Sequence, residues 1–257
     1  MYKIPYFFVA LLSFFFLLNG CTHQEKLSKT LQSTGATQLK HDFKKINEHL
    51  LTYKEKLDSR NPTAFSKTSK MTITYEISQE RNTLSITYNG KKLKTYDDYL
   101  RVAFDTSANV PERNDFLIIG LHKLICETYQ IDKGHQFTTL SYQQEAFKKL
   151  YYYLEVIKWK IRTTKDKEGN YLFITWQNNW QIELEQKLKQ GAIPSWEMLQ
   201  NLPSIQQKRE TLLDASNPNF EIILNHMIAH VKNSARIVGD EPVDVGISAM
   251  LSLVFFL

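Results

Sequence analysis

Apolar residues recur at helical spacing along most of the chain. From about His41 to Leu57 they return every three or four positions between charged residues, which predicts an amphipathic helix. The same spacing predicts helices over about 141–155 and 218–238. The stretch 115–131 is apolar at most positions and predicts a buried central helix.

Two other segments alternate apolar and polar residues with the period of a strand. In 71–96 the alternation surrounds Asn89-Gly90, a pair that favours the two left-handed positions of a type I′ hairpin turn. In 156–177 a second hairpin is predicted across the turn residues 167–170. The sequence therefore predicts an α+β fold that is predominantly helical, with a small antiparallel sheet or hairpins at about 71–96 and 156–177.

Shorter helices are predicted after the second hairpin. Glutamates and lysines four residues apart, followed by Gly191, favour a helix over 179–190, although the apolar residues at its start also fit a strand. Ser195 and Ser204 are placed to begin two short helices.

The amino terminus is a charged and apolar leader that ends at a cysteine. Lys3 precedes an apolar run from Ile4 to Leu18, and the small residue Gly20 stands directly before Cys21. These are the parts of a secretory signal, and the run is shorter than the roughly 20 residues that a membrane-spanning helix needs. The segment resembles the lipobox of bacterial lipoproteins. The resemblance implies cleavage after Gly20, lipidation of Cys21 and a lipid anchor, with palmitate among the possible acyl chains.

This resemblance divides the chain into three parts. Residues 1–20 are the expected signal peptide, 21–40 a polar tether, and 41–257 a single globular domain that ends in an apolar helix. In such lipoproteins a residue other than aspartate after the cysteine generally accompanies sorting to the outer membrane, and Thr22 fits that rule. We expect a protein of the bacterial cell envelope, anchored in the outer membrane and facing the periplasm, with the inner membrane as the alternative.

The charge of the chain is mildly positive and comes mostly from lysine. Lysine and arginine total 32 against 27 acidic residues, and no basic stripe follows a single element. We therefore expect the membrane, reached through Cys21, as a partner and no nucleic acid. If Cys21 carries lipid, Cys126 has no disulfide partner, and we expect it to be buried.

Two pairs of residues are candidates for catalysis or metal binding. His226 and His230 have the spacing of zinc ligands on a helix, but Met227 stands where a metalloprotease has its glutamate. No third ligand is indicated, so we predict no metal and no cofactor, with these two histidines as the candidate ligands if one binds. His122 and Cys126 lie one helical turn apart, yet an apolar setting raises the pKa of a thiol and disfavours a nucleophile.

Aromatic residues cluster around the second predicted hairpin. They suit either a ring-lined surface for a sugar, a peptide or a protein, or packing between helix and hairpin. The candidate binding residues are Tyr151, Tyr152, Trp159, Trp176 and Trp180.

The last twelve residues, 246–257, form an apolar run that is too short to span a bilayer as a helix. We expect this run to be buried against the protein's own core, against a partner protein or at the membrane surface. Together these features favour a membrane-anchored, non-enzymatic binding or assembly component. An envelope enzyme with a metal or thiol centre and a carrier of a small apolar ligand are the alternatives.

Overall fold

The computed structural model describes residues 34–131, 142, 144–211 and 219–239. In this part of the chain the predicted fold class is confirmed: helices predominate, and one antiparallel sheet has two strands. The helices are α1 (34–60), α2 (Lys67–Ser78), α3 (Tyr96–Ala103), α4 (Arg113–Thr128), α5 (Gln144–Thr163), α6 (Asn179–Lys189), α7 (Trp196–Gln200), α8 (Pro203–Gln206) and α9 (Asn219–Ile237). The strands are β1 (Thr87–Tyr88) and β2 (Lys91–Lys92).

The predicted central helix is confirmed as α4, which is buried on nearly all its faces. It packs closely on α3, because a Cβ atom at Gly120 would lie only 2.9 Å from the Leu100 side chain. α5 packs against α9. α1 adds a continuous apolar face whose residues are fully buried: Leu39, Phe43, Ile46, Leu50, Tyr53 and Leu57.

α1 and α9 run antiparallel. The Tyr53 ring meets Phe220 near the start of α9, with ring centroids 5.5 Å apart. Asp42, earlier in α1, bonds to His230 near the end of α9. This pairing lets side chains from distant parts of the sequence share one surface.

The strand predicted over 71–77 is wrong, because this segment belongs to α2. The Ser66 hydroxyl caps the helix by accepting the backbone N–H of Ser69. Ile73 and Ile77 are buried one turn apart, whereas Met71 is 81% exposed. Residues 73 and 77 lie on the same side in a strand and in a helix, so their spacing does not distinguish the two structures. The Ser66 cap favours the helix.

The hairpin at Asn89-Gly90 is confirmed, and the sheet is confined to it. Thr87 pairs with Lys92, and Tyr88 with Lys91. Asn89 and Gly90 have φ angles of 48° and 76°, as a type I′ turn requires.

The hairpin predicted over 156–177 is wrong for its first strand, because α5 continues to Thr163. What remains is an isolated antiparallel bridge between Lys165 and Tyr171. Gly169, with a φ of 86°, lies in the turn between them. The buried residues at the end of α5 fit a helical face: Val156, Ile157 and Ile161.

Several boundaries differ from the predictions. Residues 34–40 are helical, so they belong to α1 rather than to the tether. The helix over 179–190 is confirmed as α6, and Gly191 follows its end with a φ of 87°. Ser195 caps α7 as predicted, but Ser204 lies inside α8, which begins at Pro203.

Five predictions concern residues outside the described part. They are the signal peptide 1–20 with the lipidated Cys21, the tether over 22–33, the start of α5 at Ser141, the start of the last predicted helix at 218, and the apolar segment 246–257.

A capping box joins the hairpin to α3. The Thr95 hydroxyl accepts the backbone N–H of Asp98, and the Asp98 carboxylate accepts the backbone N–H groups of Thr95 and Lys94. The Lys91 ammonium lies 3.0 Å from the same carboxylate. The Lys91 bond first, and then the backbone donors, hold the pKa of Asp98 well below its ordinary value of 3.8.

The stabilisation from Asp98 should therefore depend on pH. Because the pKa of Asp98 is lowered in the folded state, this stabilisation is fully present above pH 3.8. It is lost as the pH falls through the folded-state pKa. We expect Asp98→Asn to lower the free energy of unfolding by about 1 kcal/mol at pH 7, and by less below pH 3.8. Urea unfolding followed by circular dichroism measures both values. The matched control, Asp97→Asn in the same turn, should change little, and an equal loss from Asp98→Asn at both pH values contradicts the assignment.

Candidate functional site: histidines beside a buried carboxylate

The pairing of α1 with α9 brings four histidines to one surface. His41 and His49 come from α1, and His226 and His230 from α9. The His49 ring centroid lies 5.2 Å from that of His226 and 5.8 Å from that of His230. His41 lies on the other side of His230, with centroids 6.3 Å apart. The rings of His49 and His230 are half-buried, whereas His41 and His226 are exposed.

A buried carboxylate orients one of these rings. The Asp42 side chain is 1% exposed, and its Oδ1 accepts a hydrogen bond from His230 Nδ1 at 2.9 Å. Its oxygens also accept bonds from Asn233 Nδ2 at 2.6 Å, Gln38 Nε2 at 3.1 Å and Ser234 Oγ at 3.2 Å. With Nδ1 as the donor, the lone pair of a neutral His230 ring lies on Nε2.

The hydrogen-bond network continues from Asp42 into the core. Ser234 gives its single hydroxyl proton to Asp42, so Tyr129, 2.6 Å away, donates to Ser234 Oγ. Burial raises the pKa of Tyr129 above its ordinary value, so the phenol keeps its proton. A chain of bonds thus fixes Asp42, and through it His230, to the interior of the domain.

His49 differs from its neighbours in its titration. Burial first, and then the charges of His226 and His230, lower its pKa below the ordinary value of 6.5. At neutral pH the His49 ring is therefore mostly uncharged.

His226 and His230 are recognisable from the sequence as a possible ligand pair, whereas His49 is not. The structure brings that third imidazole from α1, far away in the sequence. The one available signal was the spacing of His41 and His49, two helical turns apart and hence on one face of α1. With the side chains as they stand, no three His, Cys, Asp or Glu residues of the described part are placed to hold a metal ion.

The second pair, His122 and Cys126, is buried and structural. His122 Nε2 donates to the Arg81 carbonyl at 2.6 Å, and its Nδ1 lies 3.2 Å from the Asn47 side-chain oxygen. The buried Asn47 Nδ2 has no partner among the described residues. Exchanging the amide oxygen and nitrogen lets Nδ2 donate to Nδ1, which satisfies both groups with a neutral imidazole. Both ring nitrogens are then engaged, and His122 is a poor base for the Cys126 thiol 3.5 Å away.

The Cys126 thiol should consequently be unreactive in the folded protein. In a Cys21→Ser background, we expect a thiol-reactive dye to label Cys126 only after denaturant unfolds the chain, because the side chain is fully buried. Labelling is followed by absorbance at neutral pH. Rapid labelling of the native protein that is lost in His122→Asn would instead indicate an activated thiol.

The candidate aromatic residues differ widely in exposure. Tyr151 is buried in the core, and the Tyr152 ring packs on it with centroids 5.5 Å apart. Trp176 is 45% exposed, and the Arg162 guanidinium lies 4.9 Å from its ring centroid. Trp159 in α5 and Trp180 in α6 are half-buried. Packing accounts for Tyr151 and Tyr152, and Trp176 offers the most exposed ring of the five.

A cleft of about 670 Å³ opens beside the 165–171 bridge. Its lining is largely polar, and includes Asn61, Thr63, Ser107, Asn109, Asp166 and Asn170. Such a lining favours a polar ligand over the small apolar one that the carrier hypothesis requires.

The chain matches no known protein family, and comparisons with curated proteins and with solved structures find no similar protein. Within the described residues, none of the helices combines the length and the apolar character needed to cross a membrane. The function must therefore be inferred from the residues themselves.

Proposed function

We propose that this protein is a lipid-anchored component of the bacterial cell envelope, with a helical domain that acts in binding or assembly rather than catalysis. The observation that carries the proposal is Cys21, placed directly after an apolar run and the small residue Gly20. Two or more acyl chains at that position give stable membrane attachment, whereas one chain gives only marginal binding. Thr22 favours the periplasmic face of the outer membrane.

The short distance between the anchor and the domain supports this role. Only residues 22–33 separate Cys21 from the described part of α1. Fully extended, the chain between Cys21 and residue 34 reaches at most about 47 Å. A domain on such a tether stays close to the bilayer, where it meets envelope partners.

The chemistry of the described residues favours binding over catalysis. His122 and Cys126 are engaged in buried structural contacts, which argues against a thiol enzyme. Trp176 and the polar cleft offer contact surfaces for a partner or a polar ligand. The runner-up, an envelope enzyme with a metal centre, draws its support from the histidines of α1 and α9.

Lipidation of Cys21 can be tested directly in a bacterial host. We expect mass spectrometry of the mature amino-terminal peptide to show diacylglycerol and acyl additions on Cys21, and the protein to sediment with membranes. Cys21→Ser should abolish both, because serine offers no thiol for lipid attachment.

The control is Cys126→Ala, which leaves the lipobox unchanged and should keep the lipid and the membrane location. An unmodified amino terminus, or equal membrane association of the wild type and Cys21→Ser, contradicts the proposed anchor.

A further inference from the structure

Three imidazoles from two antiparallel helices lie close together on the surface. His226 and His230 are one turn apart on α9, and His49 faces both from α1. Histidine nitrogens bind zinc at about 2.0–2.1 Å, so the ring centroids of a tetrahedral site are about 5 Å apart. The observed separations of His49 from the other two rings are 5.2 and 5.8 Å.

We propose that His49, His226 and His230 form a surface site for a zinc-type divalent transition metal. Imidazole is a preferred ligand of such metals, and three protein ligands leave the fourth position to water or to a bound anion. The site is independent of the lipid anchor.

Closing the site requires a change of side-chain rotamer. In their present positions the ligating atoms do not converge. His226 is exposed, so it can change rotamer without disturbing the core. His49 and His230 are more buried than His226 and are held more firmly by their surroundings.

Asp42 supplies the supporting contact that metal-binding histidines usually have. Such a ligand typically donates its second ring N–H to a carboxylate, which fixes the ring and raises its basicity. His230 Nδ1 donates to Asp42, so Nε2 is left to bind the metal. The Asp42 carboxylate also places a negative charge behind His230, which favours binding of a metal cation by this ring.

A cation on α1 lies one helical turn before His49. The nearby Lys45 ammonium is paired with Glu48 at 2.7 Å, which reduces its repulsion of a bound cation.

Zinc titration of the mature, tag-free Cys21→Ser chain, after treatment with a chelator, tests the site. Isothermal calorimetry should detect one zinc ion per chain, and zinc should raise the melting temperature until chelator is added. We expect His49→Ala, His226→Ala and His230→Ala each to weaken binding at least tenfold. Asp42→Asn should weaken it about 10–100-fold, because it removes the contact that orients His230.

His41→Ala is the matched control, since this histidine neighbours His230 from the opposite side and should leave zinc affinity unchanged. Melting temperatures without zinc show whether each variant is folded. Absence of zinc binding overturns the proposal. Zinc binding that persists in the three ligand variants also overturns it, as does an unchanged affinity in His49→Ala. An equal loss of affinity in His41→Ala has the same meaning.

Discussion

The packing of α1 against α4 and the start of α2 depends on the buried ammonium group of Lys54. Lys54 Nζ lies 3.0 Å from Asp58 and 2.6 Å from Asp115, and all three side chains are at most 1% exposed. Buried charges are tolerated only when they are paired and hydrogen-bonded. Asn114 donates to Asp58, and the Ser66 backbone N–H donates to Asp115, so the cluster joins α1, α4 and the start of α2. Burial raises the pKa of Asp58 against the lowering effect of Lys54, as expected where one cation faces two carboxylates.

The end of α1 extends this polar network to the second half of the chain. Asn61 exchanges two hydrogen bonds with the backbone of Ile174, and the Arg60 guanidinium donates to the Asn178 side chain. These bonds hold the loop that leads into α6. The other half of α1 carries Asp42 and the facing histidines. One helix therefore anchors the fold at its C-terminal end and presents the candidate metal site towards its N-terminal end.

Local chemistry explains which features were predictable from the sequence. The turn at Asn89-Gly90 has dihedral requirements that few residue pairs meet. α4 is apolar around most of its circumference, so burial in the core was predictable. Period alone misassigned 71–77, because residues four apart share a side in both a strand and a helix. The position of His49 opposite α9 was beyond reach, since it depends on how two helices distant in sequence pack. For the same reason the partners of Lys54, one of them 61 residues away, could not be foreseen.

Substitution of Lys54 tests the buried cluster most directly. Lys54→Met leaves two buried carboxylates without their cation, and should lower the free energy of unfolding by about 3–5 kcal/mol in chemical denaturation. Lys45→Met breaks an ion pair with Glu48 that is largely open to solvent, and should cost about 0–1 kcal/mol. A triple variant in which Asp58 and Asp115 also become Asn should regain part of the loss. If Lys54→Met is no more destabilising than Lys45→Met, the fold does not depend on the buried ammonium.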